Sequence, residues 1–180
     1  MAAHRPPPER LPDLWYALSV HVRLATLEDL SNIAEIYNHA VQHGVATFDV
    51  DPVSLDDRRT WFAQFDAAHP LFVCDISTAV VGYAYYLPFR QKAAYARTKE
   101  CTVYVGPDSQ RRGIGSALYT ALVAHARTNG VHSLIGVLGG DNPGSLALHR
   151  RFGFEEVGHL REVGFKFGRF VDTYYFQKLL

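Results

Sequence analysis

Glu100 stands about one strand-length ahead of a polar turn, Gln110-Arg111-Arg112-Gly113-Ile114-Gly115. The residue types in that turn suit an anion. Two arginines adjoin two glycines where a helix is expected to begin. The first amides of a helix have no internal partners, and its dipole favours negative charge there. Glycine also lets a phosphate oxygen approach the backbone closely. These residues point to a turn that holds a pyrophosphate, with Glu100 doing chemistry on whatever the pyrophosphate carries. A plain structural turn is the alternative. Two common glycine motifs do not fit. A dinucleotide fingerprint needs Gly or Ala where Leu118 stands and an acid after the next strand, which ends in Leu138-Gly139; a Walker loop needs Gly-Lys-Ser/Thr. The loop Asp141-Asn142-Pro143 favours the anion reading. It falls at the same end of a parallel neighbour strand, where ligands bind in open α/β sheets.

Cys101 raises an acyl-cysteine route. In a regular strand Glu100, Thr102 and Tyr104 share one face while Cys101 and Val103 take the other, so a buried structural thiol is expected unless a bulge intervenes. His39 and His43, at i and i+4, could clasp a metal. No third ligand suggests itself, so a solvated pair and no metal are expected. Tyr83, Tyr85 and Tyr86 are expected to line the sheet.

Stepping outward, the elements that must carry these groups follow from periodicity. Val20 to Ala25 alternates and predicts a strand. Thr26, Glu28 and Asp29 open a helix that runs on Leu30, Ile33, Ile36 and Tyr37 to about His43. Val45 to Phe48 predicts a short extended piece. Ser54 and Asp57 form a capping box for a helix over 55–65. Strands over 71–76 and 80–87 read as a hairpin, and 88–99 as an irregular polar loop. The strand Thr102 to Val105 is stopped by Gly106-Pro107. A helix on Ile114, Ala117, Leu118, Ala121, Leu122 and Ala124 ends near Asn129-Gly130. A buried strand over 133–138, a helix over 145–152 and strands over 154–160 and 171–179 complete the chain. The order β-α-α-β-β-β-α-β-α-β-β is an α+β class, a mixed sheet flanked by helices.

Bulk properties exclude several functions. With 18 basic and 18 acidic residues the net charge is zero, which argues against a nucleic-acid surface. No apolar run reaches the ~18 residues of a membrane span. The N-terminus lacks the apolar region of a secretory signal. Two cysteines, Cys74 and Cys101, imply no disulfide framework and predict a reducing cytoplasm. Residues 1–19, with Pro6-Pro7-Pro8 and Pro12, read as a flexible Pro-rich arm with Leu14, Trp15 and Tyr16 as candidate anchors; 20–180 reads as one domain.

The turn at Gln110 to Gly115 resembles the Gln/Arg-x-x-Gly-x-Gly/Ala signature of the GNAT superfamily of N-acetyltransferases, and the element order is similar to theirs. More narrowly, Ile36-Tyr37-Asn38, Ala46-Thr47-Phe48-Asp49, 100–105, 148–154 and 164–172 resemble the phosphinothricin and methionine sulfoximine acetyltransferase family. The resemblance implies a three-layer fold. Its central sheet is mixed and mostly antiparallel, with a splayed parallel strand pair and helices on both faces. It implies acetyl-CoA as co-substrate, with pantetheine along the backbone of Val103, Tyr104 and Val105. Arg111, Arg112, Gly113, Ile114, Gly115 and Ser116 would hold the pyrophosphate, and Asn142 the CoA arm.

The same resemblance implies Glu100 as general base and His149 as the group that protonates the departing thiolate or assists the base. Arg90, Gln91 and Lys92 match one substrate-contact segment, and Glu100, Cys101 and Thr102 the other. The implied reaction is direct transfer, in a ternary complex, to the primary amine of a small amino-acid-like substrate of the phosphinothricin, methionine sulfoximine or methionine sulfone class. A homodimer is implied, with the loop 164–172 near the active site. One departure is Arg97, where the family usually has an aromatic; it is expected to alter pocket shape and preferred charge. The rivals are a protein N-terminal or lysine acetyltransferase, a non-catalytic acyl-CoA-binding module and, for Glu100, a structural ion pair with Lys99 or Arg97.

Overall fold

The structure, a computed structural model, describes residues 20–140 and 142–180. The proline-rich arm lies outside the described residues. One seven-stranded sheet carries the fold: β1 (His21–Leu24), β2 (Leu71–Ile76), β3 (Ala79–Pro88), β4 (Thr98–Val105), β5 (Ser133–Gly139), β6 (Glu155–Lys166) and β7 (Arg169–Leu179). Their order is β1-β2-β3-β4-β5-β7-β6. Every neighbouring pair is antiparallel except β4 and β5. Four α-helices accompany it: α1 (Leu30–His43), α2 (Leu55–Phe62), α3 (Ile114–Thr128) and α4 (Pro143–Arg151). The expected mixed sheet and element order are those observed.

Alternation along the central strands creates two cores. Tyr83 of β3 turns to one face and packs with Leu30 and Ile33 of α1 and Leu71 and Val73 of β2. Ala84 and Tyr86 turn to the other and pack with Ile114, Leu118, Leu122 and Ala126 of α3, which recur every four residues to make one apolar stripe. Gly82 is needed where α3 approaches: a Cβ there would stand 2.9 Å from the Tyr104 carbonyl and 3.1 Å from Ile114. Arg23 of β1 ties strand to helix. It reaches Asp29 at 2.7 Å and Asp75 at 2.7 Å, so a partly buried cation is matched by two acids.

Helix ends follow local chemistry. The Ser54 amide donates to Asp57 (2.9 Å), and the Asp57 amide donates to Ser54 Oγ (3.1 Å), so the short acid closes the box. α2 stops at Phe62, sooner than expected, because Gln64 and Phe65 bond back three residues in tight turns. α4 starts at Pro143 because Asn142 caps it, accepting from the Ser145 amide at 3.0 Å.

Three expectations change. Residues 45–47 form bends rather than an extended piece. β4 begins at Thr98, inside the segment read as irregular, because Thr98 and Lys99 pair with Ser133 and Leu134. The 164–172 loop is instead the end of a long β6–β7 hairpin. Its turn is Phe167-Gly168, with φ of 51° and 73°, the signature of the primed turns that match strand twist. Among the described residues no helix is long and apolar enough to cross a membrane.

Candidate active site

β4 and β5 pair only from Thr98↔Ser133 to Cys101↔Gly136. β4 then continues to Val105 against β3 alone, with Gly82, Tyr83 and Ala84 opposite Val105, Tyr104 and Val103. β5 continues to Gly139 against β7. The parting of the two strands opens a cleft of about 860 Å³, walled by Val103–Val105, Val137–Gly139, the start of α3 and Asn142–Ser145. Beyond Cys101 the free edge of β4 offers backbone donors and acceptors to an extended ligand.

The glycine turn stands at this cleft. Gly113 has φ of 82° and nothing within 4 Å of where a Cβ would be. It caps α3 without a side-chain bond. The first bond of α3 runs from Ala117 N–H to the Gly113 carbonyl (3.0 Å). The amides of Ile114, Gly115 and Ser116 therefore have no acceptor within the helix, which is the cradle an anion needs. Arg111, at φ 58°, lines the cleft beside them. Arg112 is exposed and is not part of the cleft wall.

Glu100 lies one residue before the last paired position of β4 and β5. Its side chain is 40% exposed and stands 4.0 Å from Arg90. Burial raises its pKa above the ordinary 4.5, and the Arg90 charge pulls it part of the way back. The cation nearest Glu100 is thus Arg90 rather than either candidate named from the sequence, Lys99 or Arg97. Lys99 Nζ lies 3.0 Å from His69 Nε2, and Arg97 Nε donates to the Gly130 carbonyl at 3.0 Å. Arg97 thus ties the end of the α3–β5 connection to β4, and this bond turns its guanidinium toward that connection.

A cleft at splayed parallel strands and a glycine-capped helix start at its wall are the geometry against which the comparisons can be set. The profile of the Acetyltransferase (GNAT) family matches residues 31–154, more than half of the chain. The chain belongs to the GNAT acetyltransferase family. It is 39% identical over 165 residues to a phosphinothricin N-acetyltransferase of Streptomyces coelicolor, covering 89% of this chain and 96% of that one. It is 38% identical to an L-methionine sulfoximine/L-methionine sulfone acetyltransferase of Pseudomonas paraeruginosa, covering 89% and 94%. A crystal structure of a GNAT superfamily phosphinothricin acetyltransferase from Sinorhizobium meliloti, in complex with AcCoA, superposes with a TM-score of 0.86 at 39% identity, covering 89% of this chain and 88% of that chain. The protein is an N-acetyltransferase of this family.

In this GNAT enzyme the ladder from Gly82↔Val105 to Pro88↔Lys99 runs without a register shift, so no bulge reverses the faces of β4. Cys101 accordingly turns into the α3 core and is 3% exposed. Burial pushes its pKa up to about 12, partly offset by Tyr119. A thiol so protonated is a poor nucleophile. Its Sγ lies 3.7 Å from Tyr119 Oη.

Tyr119 leads to His149. The His149 ring is 3% exposed. Its Nδ1 lies 2.8 Å from the Ser145 carbonyl, which can only accept, so Nδ1 carries the proton. Its Nε2 lies 2.8 Å from Tyr119 Oη, so the neutral ring accepts from the tyrosine. Burial holds its pKa below the ordinary 6.5, opposed by the Ser145 bond. A direct proton donor would need Nε2–H aimed into the cleft. Both ring nitrogens are instead engaged with protein, which the sequence did not reveal.

The substrate-contact segments divide. Thr102 faces Tyr85 across the ladder. Arg90 donates to the Phe89 carbonyl at 2.7 Å and stacks on the Phe89 ring at 4.0 Å. Gln91 and Lys92 are exposed in the turn that follows. None of these three lines the large cleft, and of them Arg90 stands nearest Glu100, at 4.0 Å. The His39 and His43 rings stack at 4.5 Å on the cleft wall. Among the described residues no three His, Cys, Asp or Glu side chains gather as a metal site. Sequence reasoning missed Tyr119, and it brought Phe167 and Arg169 near the site only as part of the loop 164–172. Tyr119 falls on the buried side of α3, and the other two reach the cleft from the hairpin tip.

Proposed function

We propose that this enzyme transfers an acetyl group from acetyl-CoA directly to the primary amine of a small amino-acid-like substrate, within a ternary complex. The observation that carries this reading is Glu100: a half-exposed carboxylate of raised pKa beside the point where the cofactor cleft opens. Acetyl-CoA, when bound, would supply the thioester carbonyl that the amine attacks and the thiolate that leaves as the C–S bond breaks, to be protonated from solvent. The chain's own residues do the rest. The amides of Ile114, Gly115 and Ser116, with Arg111, bind the pyrophosphate. The free edge of Val103 to Val105 orients the pantetheine, and Asn142 borders its arm. Glu100 takes the ammonium's proton, directly or through a water; a raised pKa makes it a better base. The rim of Arg90, Gln91 and Lys92, with Thr102, shapes the amine site. His149 positions Tyr119 and the cleft wall and is not assigned as proton donor.

The test is release of free thiol from acetyl-CoA with methionine sulfone, methionine sulfoximine and phosphinothricin. No release with any of them, alongside tight CoA binding, would favour a binding module. Release only with peptide amines would favour a protein acetyltransferase.

A pH prediction arises from the same geometry. The base must be ionised, so kcat/KM falls as pH drops through the Glu100 pKa, with a midpoint above 4.5. Arg90 favours the ionised form, so Arg90→Met shifts that acid limb upward. An unmoved limb would remove either Glu100 or its coupling to Arg90 from the mechanism.

We further propose a cytoplasmic homodimer. The reading is supported by the β6–β7 hairpin, which exposes Val157, Leu160, Val163, Phe165, Phe167 and Phe170, large apolar side chains that a partner could cover. Cys74 and Cys101 are free and buried, which suits a reducing compartment. Sedimentation is expected to give a mass near twice the 20.2 kDa chain, and a monomer mass would overturn the dimer.

A further inference from the structure

Arg58 is the most unusual charge in the molecule. It sits on α2, is 5% exposed, and its Nε has no hydrogen-bond partner. Among the described residues its side chain makes no hydrogen bond or ion pair. What holds it is stacking. The guanidinium carbon lies 3.9 Å from the Tyr37 ring centroid and 4.7 Å from that of Trp61. Stacking occupies the face of the guanidinium and leaves its N–H edge free. A buried cation whose donors are unused is costly, and native proteins keep such groups paired.

The same residue lines a second cavity of about 240 Å³, with Tyr37, Asp49, Val53, Asp57, Trp61 and Tyr85. That volume is below the usual range for drug-sized ligands and suits a group of amino-acid size. The cavity adjoins the catalytic strand, for Tyr85 lies opposite Thr102 on β4. Burial raises the Tyr85 pKa most; Glu100 and Asp49 raise it further, and Arg58 with Thr102 lowers it. Both the base and the buried cation therefore act on one phenol.

We propose that this cavity is a carboxylate subsite for the acceptor, and that the free edge of Arg58 binds the carboxylate of an α-amino acid while its amine lies toward Glu100. The proposal rests on the acetyl-transfer reading and adds the residue that recognises the acceptor's carboxylate. A guanidinium and a carboxylate match in a bidentate pair. Arg90 is the other candidate. It is exposed and committed to Phe89, and a charge in water is screened more than one in the interior.

The experiment measures acetylation of methionine sulfone and of its carboxamide by wild type, Arg58→Met, Arg58→Lys and Arg90→Met. Arg58→Met is expected to lower kcat/KM for the acid by about 10- to 100-fold. The carboxamide rate and the KM for acetyl-CoA should change little, and Arg58→Lys should keep part of the preference. Arg90→Met should affect the acid preference less. Equal losses on acid and carboxamide, or a larger shift in Arg90→Met, would overturn the proposal. Calorimetric titration of methionine sulfone into the CoA-loaded protein separates this from the transfer reading. Arg58-dependent binding without any acetyl transfer upholds the subsite and overturns the transfer reading. Wild-type protein that transfers acetyl to amines yet binds the acid no better than the carboxamide overturns the subsite alone.

Discussion

Glu100→Gln lowers kcat for acetyl transfer by about 10²- to 10⁴-fold, the usual weight of a positioned general base. The substitution keeps size and removes only the basic oxygen. An ammonium cannot attack a thioester until it loses a proton. With glutamine at 100 that proton must leave to bulk water, so the residual rate depends on free amine already present at the working pH. The acid limb assigned to Glu100 should vanish with the side chain. CoA affinity should hold, because the anion cradle at Gly113 to Ser116 is built from α3 amides and Arg111, and Glu100 is not part of the cleft wall. Thiol release and calorimetric CoA titration check the two halves. Undiminished turnover in the variant removes Glu100 from the mechanism.

Gly136→Ala should lower stability markedly although it removes no interaction. A Cβ at 136 falls inside the van der Waals envelope of His149 Nε2 and stands 2.6 Å from its Cδ2. The ring cannot retreat freely, since Phe154 and Phe176 pack on it at centroid distances of 5.0 and 5.7 Å. Overpacking of this kind costs about 1–3 kcal/mol. Displacing the ring also breaks its bond from Tyr119 and leaves that buried hydroxyl only the weak Cys101 thiol, 3.7 Å away, a loss of about 1–3 kcal/mol more. At about 2–4 °C per kcal/mol for a chain of this length, Tm should fall by roughly 5–20 °C. Tyr119→Phe in the same chain should be non-additive with Gly136→Ala, because both act on one hydrogen bond. Additive losses would mean that the clash is relieved without moving His149.

Much of the fold was legible because hydrophobic period is a local property. The four-residue stripe of α3 and the alternation along β3 appear in the chain before any contact is known, and so the order of elements is the one observed. Ends were less legible because they are set by partners. β4 begins at Thr98 only because Ser133 lies beside it, and the 164–172 segment is a hairpin only because β6 and β7 pair to its tip. The turn residues were readable as well: Gly113 sits at positive φ, where a side chain would be strained.

By itself, then, the sequence determined the family, the element order and the glycine turn that opens α3, since each rests on residue types at short, fixed spacing. Tertiary structure alone decided which groups meet. It separated Glu100 from Lys99 and Arg97, whose bonds run to His69 and Gly130. It placed Cys101 in the core, where burial makes the thiol inert. It engaged both nitrogens of His149 and left Nε of Arg58 without a hydrogen-bond partner. Burial and the choice of hydrogen-bond partner arise from segments distant in the chain, and they set protonation and therefore chemistry.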